Sequence, residues 1–567
     1  METIERRKYN FNFIPETPED IRVVVGIDFG TTFSGYACAS VRSCDIITNT
    51  NWPGVNNGSV KTNTVLQYDD DNFEVIEWGA RALVGETRPR KNKGNKLSKP
   101  IELFKLHLDK KVPDYQKPKL PQGLSPEKAI TDYLRMMGKY IKETVESHWP
   151  GTNFFRMVRL VVTIPAEFTE DTKAIMRQCI YDANLINNLG TQNLQFSTEP
   201  EAAAVHCIKL LNDHKLNVGD TYLVVDCGGG TVDLTVRKLL ENNRLKEVTE
   251  RTGDFCGSTY VDRNFIKYLE SKVGKDAISS LQENHYGQFQ YVIQQFCERV
   301  KIPFTNNPSE FRTFEFDIKR YCKSLIQYLN SNVKKELEDN EWAIDIEYKD
   351  VKSFFDPVID QIISLMNDQL KKIDKCSIIF LVGGFSESKY LQARIKERFS
   401  SYKVAVPPHP VAAVVRGAVE YGLDMDTIKT RVLKWTYGVE AYEKFKEGID
   451  PHSRKNKDGY VLRFSLLAKR GIEVDVNQTF SKKLTPKRPN QKKAFVEFFY
   501  TPKYTPKYCN ESEIHKLGTI VIDLPDTHLG LNRPVLVTLC FGKMEMVATV
   551  KNETSGYTYS NTFKLEF

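Results

Sequence analysis

The stretch "VVVGIDFGTTFSGYA", residues 23–37, is an apolar run that ends on Asp28, turns through Gly30, Thr31 and Thr32, and resumes as a second apolar run. Much later the chain repeats the pattern. "YLVVDCGGGTVDLTV", residues 222–236, ends its first run on Asp226 and turns through Gly228, Gly229, Gly230 and Thr231. Each reads as strand, tight turn, strand. Glycine allows the turn and lets backbone N–H groups come close to a bound anion, and the threonines add hydroxyl donors. Consecutive glycines weaken a strand unless something approaches the backbone closely. A third apolar run closes on Gly383 and Gly384 in "FLVGGFSES", residues 380–388. One such turn alone is an ordinary hairpin; three in one chain suit phosphate. The aspartates would repel bare phosphate, so Asp28 and Asp226 make sense with Mg2+, which keeps several waters and would be held through them. The chain has no Gly-x4-Gly-Lys-Ser/Thr sequence, which excludes the P-loop solution.

The chain has 567 residues, more than one hydrophobic core accommodates, so several domains are expected. A net charge of +7 against 80 basic and 73 acidic residues argues against a nucleic-acid binder. No apolar run reaches the length of a membrane span, and the N-terminus lacks the apolar segment of a signal peptide. The 11 cysteines are scattered with no Cys-x-x-Cys pair, which suits free thiols in a reducing, cytoplasmic setting. There the Asn57-Gly58-Ser59 sequon carries no meaning.

Residues 1–21 read as a polar arm and 86–100 as a basic, solvated loop. Ser125 and Pro126 open an amphipathic helix with Ile130, Leu134, Met137, Ile141 and Val145 on one face. "RLVVTIPAEF" reads as a buried strand ending at Pro165, and Thr169 as the cap of the helix that follows. Val358, Ile362, Met366 and Leu370 mark a second long helix. Beyond residue 433 helical periodicity gives way to short alternating segments, which read as strands.

These motifs, taken in order, resemble the seventy-kilodalton heat-shock proteins of the actin-like ATPase superfamily. "GIDFGTTFSGYA" and "VVDCGGGTVDLTV" resemble its two phosphate loops, "STEPEAAAVH" its connecting motif, and "FCERVK" and "FLVGGFSESKYLQ" its adenosine-contacting segments. The resemblance covers roughly residues 22–425, and the "GGFSES" turn points to the divergent "member twelve" branch. It implies an α/β duplicated actin-like fold, with nucleotide between two lobes and one turn from each lobe clasping the phosphates. By this resemblance Asp28 and Asp226 face the metal, Asp226, Glu199 or both position the attacking water, and Thr231 and Lys105 lie near the terminal phosphate. Glu298 and Lys301 hold the ribose, and Gly383, Gly384 and Ser386 the nucleoside. Lys105 has a second reading as a surface lysine, and Pro165, matching a hinge proline, a second reading as a plain strand terminator. Cys227 reads as a buried inert thiol.

The sequence departs from the family in two places. Ile302 and Glu387 stand where arginines flank the base, so weaker binding or looser base selectivity is expected. In addition, "LLAKRGIEVDVNQTFSKKLTP" resembles the start of the family's peptide-holding β-sandwich, and the chain ends on its final strands, so no helical lid is expected. The linker, 426–436, offers Val432, Leu433 and Trp435, interrupted by Lys429, Arg431 and Lys434; buried, each charge would demand a partner. The expected organisation is an arm (1–21), a nucleotide-binding domain (22–425), the linker and a β-rich domain (437–567). The expected activity is slow hydrolysis of ATP to ADP and phosphate with Mg2+, coupled to lobe closure and to a protein client or co-chaperone. Two other readings stand beside it: a nucleotide-gated scaffold with negligible turnover, and a metabolite kinase on the same superfold.

Overall fold

The strand that carries Asp28 is buried along its whole length (Val23–Phe29, β1), as befits a strand covered on both faces. It turns into Phe33–Ser40 (β2), which pairs antiparallel and sets Gly35 opposite Asp28. Thr62–Asn63 (β3) pairs with the start of β2, Thr62 opposite Ser34. On the other side of β1, Val158–Ile164 (β4) runs parallel to it, and Leu194–Thr198 (β5) parallel to β4. This computed structural model describes residues 21–55, 58–69, 73–84, 99–108, 112–114, 117–211, 213–541 and 545–562. The arm at 1–20, Asn57 and nearly all of the basic segment 86–100 lie outside the described residues.

A second sheet is built around Asp226. Thr221–Cys227 (β6) and Val232–Leu239 (β7) form an antiparallel hairpin with Asp226 opposite Asp233. Leu245–Glu247 (β8) continues the sheet beyond β7. Ile378–Val382 (β9) runs parallel to β6, and Val404–Ala405 (β10) parallel to β9. Ile428–Val432 (β11) runs parallel to β8. Both sheets therefore contain a hairpin whose Asp-bearing first strand is flanked by a parallel strand.

Helices fill the remaining faces. Pro126–His148 (α1) opens where Ser125 Oγ accepts the Lys128 N–H at 3.1 Å. Glu199–Leu211 (α2) follows β5 without a loop, which fixes Glu199 at the strand end. Thr259–Val273 (α3), Tyr286–Phe296 (α4) and Tyr348–Leu370 (α5) share one core with the Leu223 face of β6. Ala413–Leu423 (α6) packs closely on α2: a Cβ on Gly417 would fall 1.8 Å from the Ala202 carbonyl oxygen. A Cβ on Gly26 of β1 would fall 2.7 Å from the Val415 carbonyl oxygen. Small residues thus let α2 and α6 sit against both sheets, in a core that joins Val24 and Val161 of the first to Val224 and Val382 of the second.

The chain divides into two compact units, one of Arg22–Leu185 with Leu194–Arg431, the other including Ile186–Asn193 and Val432–Phe567. The second unit holds two four-stranded antiparallel sheets. One is ordered Tyr460–Ala468, Thr436–Lys444, Lys493–Thr501, His515–Asp523; the other Gln478–Leu484, Val535–Phe541, Val547–Asn552, Thr558–Thr562. Both contribute to one apolar core, Val439, Phe498 and Ile520 from the first and Val537, Leu539 and Val550 from the second.

Within the first unit, part of the expected linker is strand β11, and its Arg431 is buried. Arg431 donates from Nε and Nη2 to both oxygens of Glu201, at 3.1 and 2.9 Å. Arg237 Nη2 donates to the same carboxylate at 3.2 Å and to Glu247 at 3.3 Å, and Ser197 Oγ donates to it at 3.2 Å. Burial alone would raise the Glu201 carboxyl, but the two guanidinium groups outweigh it and hold the group down at about 2. The charge on Arg431 therefore has its partner 230 residues away. Breaking such a buried pair from one side costs about 3–5 kcal/mol. We expect Arg431→Met to lower stability by that order in denaturant unfolding, and Arg431→Met/Glu201→Gln together to lose less than the sum of the two. Full additivity would show that the two groups are not coupled.

Candidate functional site

The two glycine-threonine turns meet. A Cβ on Gly229 would lie 2.0 Å from Thr32 Oγ1, and one on Gly230 would lie 3.1 Å from Thr31 Cβ. The first turn is braced from behind: Gly30 N–H donates to Ser34 Oγ (3.1 Å), and Thr64 Oγ1 donates to the Gly30 carbonyl (2.9 Å). The second turn is braced by the start of α3. Its Gly228, Gly229 and Gly230 carbonyls accept the N–H groups of Ser258, Thr259 and Gly257, at 3.0, 2.9 and 3.2 Å. In a trans peptide the N–H points opposite to the C=O. The N–H groups of Gly229, Gly230 and Thr231 therefore point away from α3. Gly30–Thr32, Gly228–Thr231, Gly383 and Gly384 line one cleft of about 1970 Å³ in the first unit, larger than a typical small-molecule pocket and open enough for nucleotide with its solvent. Gly383 has φ +83°, and a Cβ there would strike Asp226 Oδ1 at 2.4 Å, so the third turn also requires glycine.

Four buried acids gather at this point: Asp28, Glu199, Asp226 and Asp233. Burial, reinforced by Glu199, pushes Asp226 well above the usual carboxylate range. Burial likewise raises Glu199, partly offset by Lys105. Asp233 is pushed up to about 7 by burial and by Glu199. Its Oδ1 accepts the Ala166 N–H at 3.0 Å, while its buried Oδ2 has no hydrogen-bond partner. Two ammonium groups answer these acids. Lys105 is 3% exposed, and its Nζ donates to the Phe29 carbonyl (2.6 Å) and to Glu199 (3.0 Å). The alternative of a surface lysine does not describe it. Lys61 Nζ lies 2.6 Å from Asp28 Oδ2. Lys61 carried no motif in the sequence; β3 brings it here, and only its pairing with β2 could have pointed to it.

A family described as a domain of unknown function, DUF8340, matches residues 217–407. Human Heat shock 70 kDa protein 12A is 26% identical over 93% of this chain and 89% of its own length. Human Heat shock 70 kDa protein 12B is 23% identical over 93% of this chain and 88% of its own. Along nearly its whole length the chain is similar to the member-twelve heat-shock proteins. A Chaperone protein DnaK from Anaplasma marginale is also similar, 22% identical over 74% of this chain and 61% of its own length.

The side of the cleft away from the two glycine-threonine turns is built differently. Cys297–Lys301 forms a turn of π-helix after α4, a feature that favours functional positions. Lys301 Nζ is engaged with Asp262 and the Ser258 carbonyl, both at 2.7 Å. Glu298 accepts from Gln294 at 2.8 Å. Ile302 is 67% exposed at the cleft edge, and Glu387 lines the cleft in a short turn after Gly384. Ser386, expected at the nucleoside, is fully buried and donates to the Val382 carbonyl at 2.6 Å; it holds the turn from inside. Cys227 is fully buried and its thiol is raised by burial to about 12, which makes it a poor nucleophile. Pro165 and Thr231 line a small side pocket with Lys105 and Asp233.

The surplus of buried acid at the cleft, Asp28, Glu199 and Asp226, suits a cation. Among the described residues no group of three or more His, Cys, Asp or Glu is placed to ligate a metal directly. The residues therefore fit an ion that keeps its water shell, held through it by Asp28 and Asp226. Among the described residues no helix is long and apolar enough to cross a membrane.

The raised Asp233 gives a pH test. Its neutral form is the one the fold accepts, so its contribution is complete below the ordinary carboxylate range and is lost as pH rises through about 7. Asp233→Asn keeps the acceptor for Ala166 and cannot ionise. The Tm advantage of Asp233→Asn over the parent is expected to grow from about pH 5 to about pH 8. A constant difference would mean that Asp233 does not titrate in the fold.

Proposed function

We propose that this chain binds ATP and ADP with Mg2+ in the cleft lined by the two turns and hydrolyses ATP slowly, coupling nucleotide state to lobe closure and partner binding. The observation that carries the reading is the meeting of the Gly228–Thr231 and Gly30–Thr32 turns beside four buried acids, the buried ammonium of Lys105 and the half-buried ammonium of Lys61. Similarity to heat-shock 70 proteins along nearly the whole chain supports it. In this reading residues 22–425 form a duplicated actin-like domain, 426–436 a linker and 437–567 a substrate-binding-like β-sandwich, in a cytoplasmic protein with a client or co-chaperone as partner.

Each side chain then has a task. The Gly229, Gly230 and Thr231 N–H groups and the Thr31 and Thr32 hydroxyls donate to phosphate oxygens. Lys105, gripped by the Phe29 carbonyl and Glu199, directs its remaining hydrogen at the terminal phosphate and neutralises developing charge. Glu199, at the end of β5, accepts a proton from attacking water. Mg2+, held through water by Asp28 and Asp226, would add Lewis-acid stabilisation of the phosphate oxygens. Glu298, Lys301, Gly383 and Gly384 bound the nucleoside side.

Incubation with γ-labelled ATP, with and without sugars, separates this from the alternatives. Phosphate release without acceptor is expected; acceptor-dependent loss of label would show a kinase, and tight retention a scaffold. Asp28→Asn and Asp226→Asn are each expected to reduce Mg-dependent turnover about tenfold or more, because each removes one charge from the metal's surroundings without changing size. Parent-like rates in both would remove the clamp from the account.

The base is expected to be poorly discriminated. Ile302 packs on any purine face but supplies no cation, and Glu387 repels the electron-rich ring. Competition between ATP and GTP should give affinities within about tenfold of each other, roughly 1.4 kcal/mol. A strong adenine preference would show that another group reads the base.

A further inference from the structure

Lys61 is the cleft cation that the sequence motifs do not include, and its placement is specific. Thr62 stands opposite Ser34, so Lys61 comes alongside Gly35, and Gly35 is the residue paired with Asp28 across the β1–β2 hairpin. The glycine leaves a path. A Cβ at position 35 would lie 2.7 Å from the Val60 carbonyl oxygen and 3.1 Å from Lys61 Cγ. The lysine stem crosses β2 at that gap and delivers Nζ to Asp28 Oδ2 at 2.6 Å, with side-chain exposures of 14% and 4%. Ser59 fixes the backbone at the base of the stem: its hydroxyl donates to the Lys61 carbonyl at 2.8 Å. Lys61 and Asp28 line the same cleft as Gly30, Thr31 and Thr32.

An ammonium has three donors. One rests on Asp28, the acid that would also face a hydrated divalent ion, and the cleft on which Lys61 opens is the one lined by the glycine-threonine turns. The geometry points to Lys61 as a built-in counter-ion that binds nucleotide phosphate and neutralises Asp28 when no divalent cation is bound, so that nucleoside di- and triphosphates bind here with little dependence on Mg2+. This rests on the reading of the cleft as a nucleotide site. It concerns binding; Mg2+ keeps its part in hydrolysis.

The test is calorimetric titration of the full chain with ADP and with a non-hydrolysable ATP analogue, in Mg2+ and in EDTA. The expected result is a Kd that differs by less than about threefold between the two conditions. Binding seen only with Mg2+ would overturn the inference and leave the nucleotide reading standing. No binding under either condition would overturn both. Lys61→Met keeps the stem and removes the charge. It is expected to weaken binding in EDTA by about tenfold or more and to make the remaining affinity rise with Mg2+. Unchanged affinity of Lys61→Met in EDTA would show that Lys61 does not bind the phosphates. The comparison of conditions in the parent protein stands even if Lys61→Met folds poorly.

Discussion

The site depends on one steric constraint: the Gly229–Gly230 peptide lies against Thr31 and Thr32, with no room for a β-carbon on Gly229. The two turns come from different sheets and are separated by almost two hundred residues of chain. They meet because everything behind them is held close. Gly26, Gly417 and the Ala202–Ala204 run let α2 and α6 settle between the sheets, so the Asp-bearing strands of both sheets end at one place. The same packing fixes Glu199, since α2 starts at the end of β5.

Placing two such strand ends together concentrates negative charge, and the chain answers it locally. Lys105 is paired with Glu199 and Lys61 with Asp28. Two residues along α2, Glu201 takes up Arg237 and Arg431 in a separate buried network. Two acids two residues apart on one helix thus serve different ends: Glu199 faces the cleft, and Glu201 ties β11 and β7 to the helix. A shift of α2 that moved Glu199 would also pull on Arg431, so the end of the first unit is mechanically tied to the site.

The hairpins, the long helices and the change to short strands near residue 433 were legible in the sequence, because each rests on local pattern: apolar runs, capping residues and period. The glycine-threonine turns were legible for the same reason. Lys105, Lys61 and Arg431 were not, or only in part. A lone lysine in "LFKLHL" has no local mark of burial; its setting comes from Phe29 and Glu199, far away in sequence. Lys61 depends on the β2–β3 register and on the gap at Gly35. Arg431 interrupts an apolar linker in the sequence, and the charge itself said only that a partner was needed. Ser386 was misplaced because a serine in a Gly-Gly turn reads as a ligand contact, whereas its hydroxyl closes the turn on the Val382 carbonyl.

The central claim is that both turns grip one ligand as a single clamp. Hydrogen–deuterium exchange of the full chain, with and without saturating ADP, addresses it directly. Peptides covering 28–33 and 226–232 are expected to gain protection together and with the same dependence on ADP concentration. Protection of one turn without the other, or of neither while ADP binds, would contradict the account.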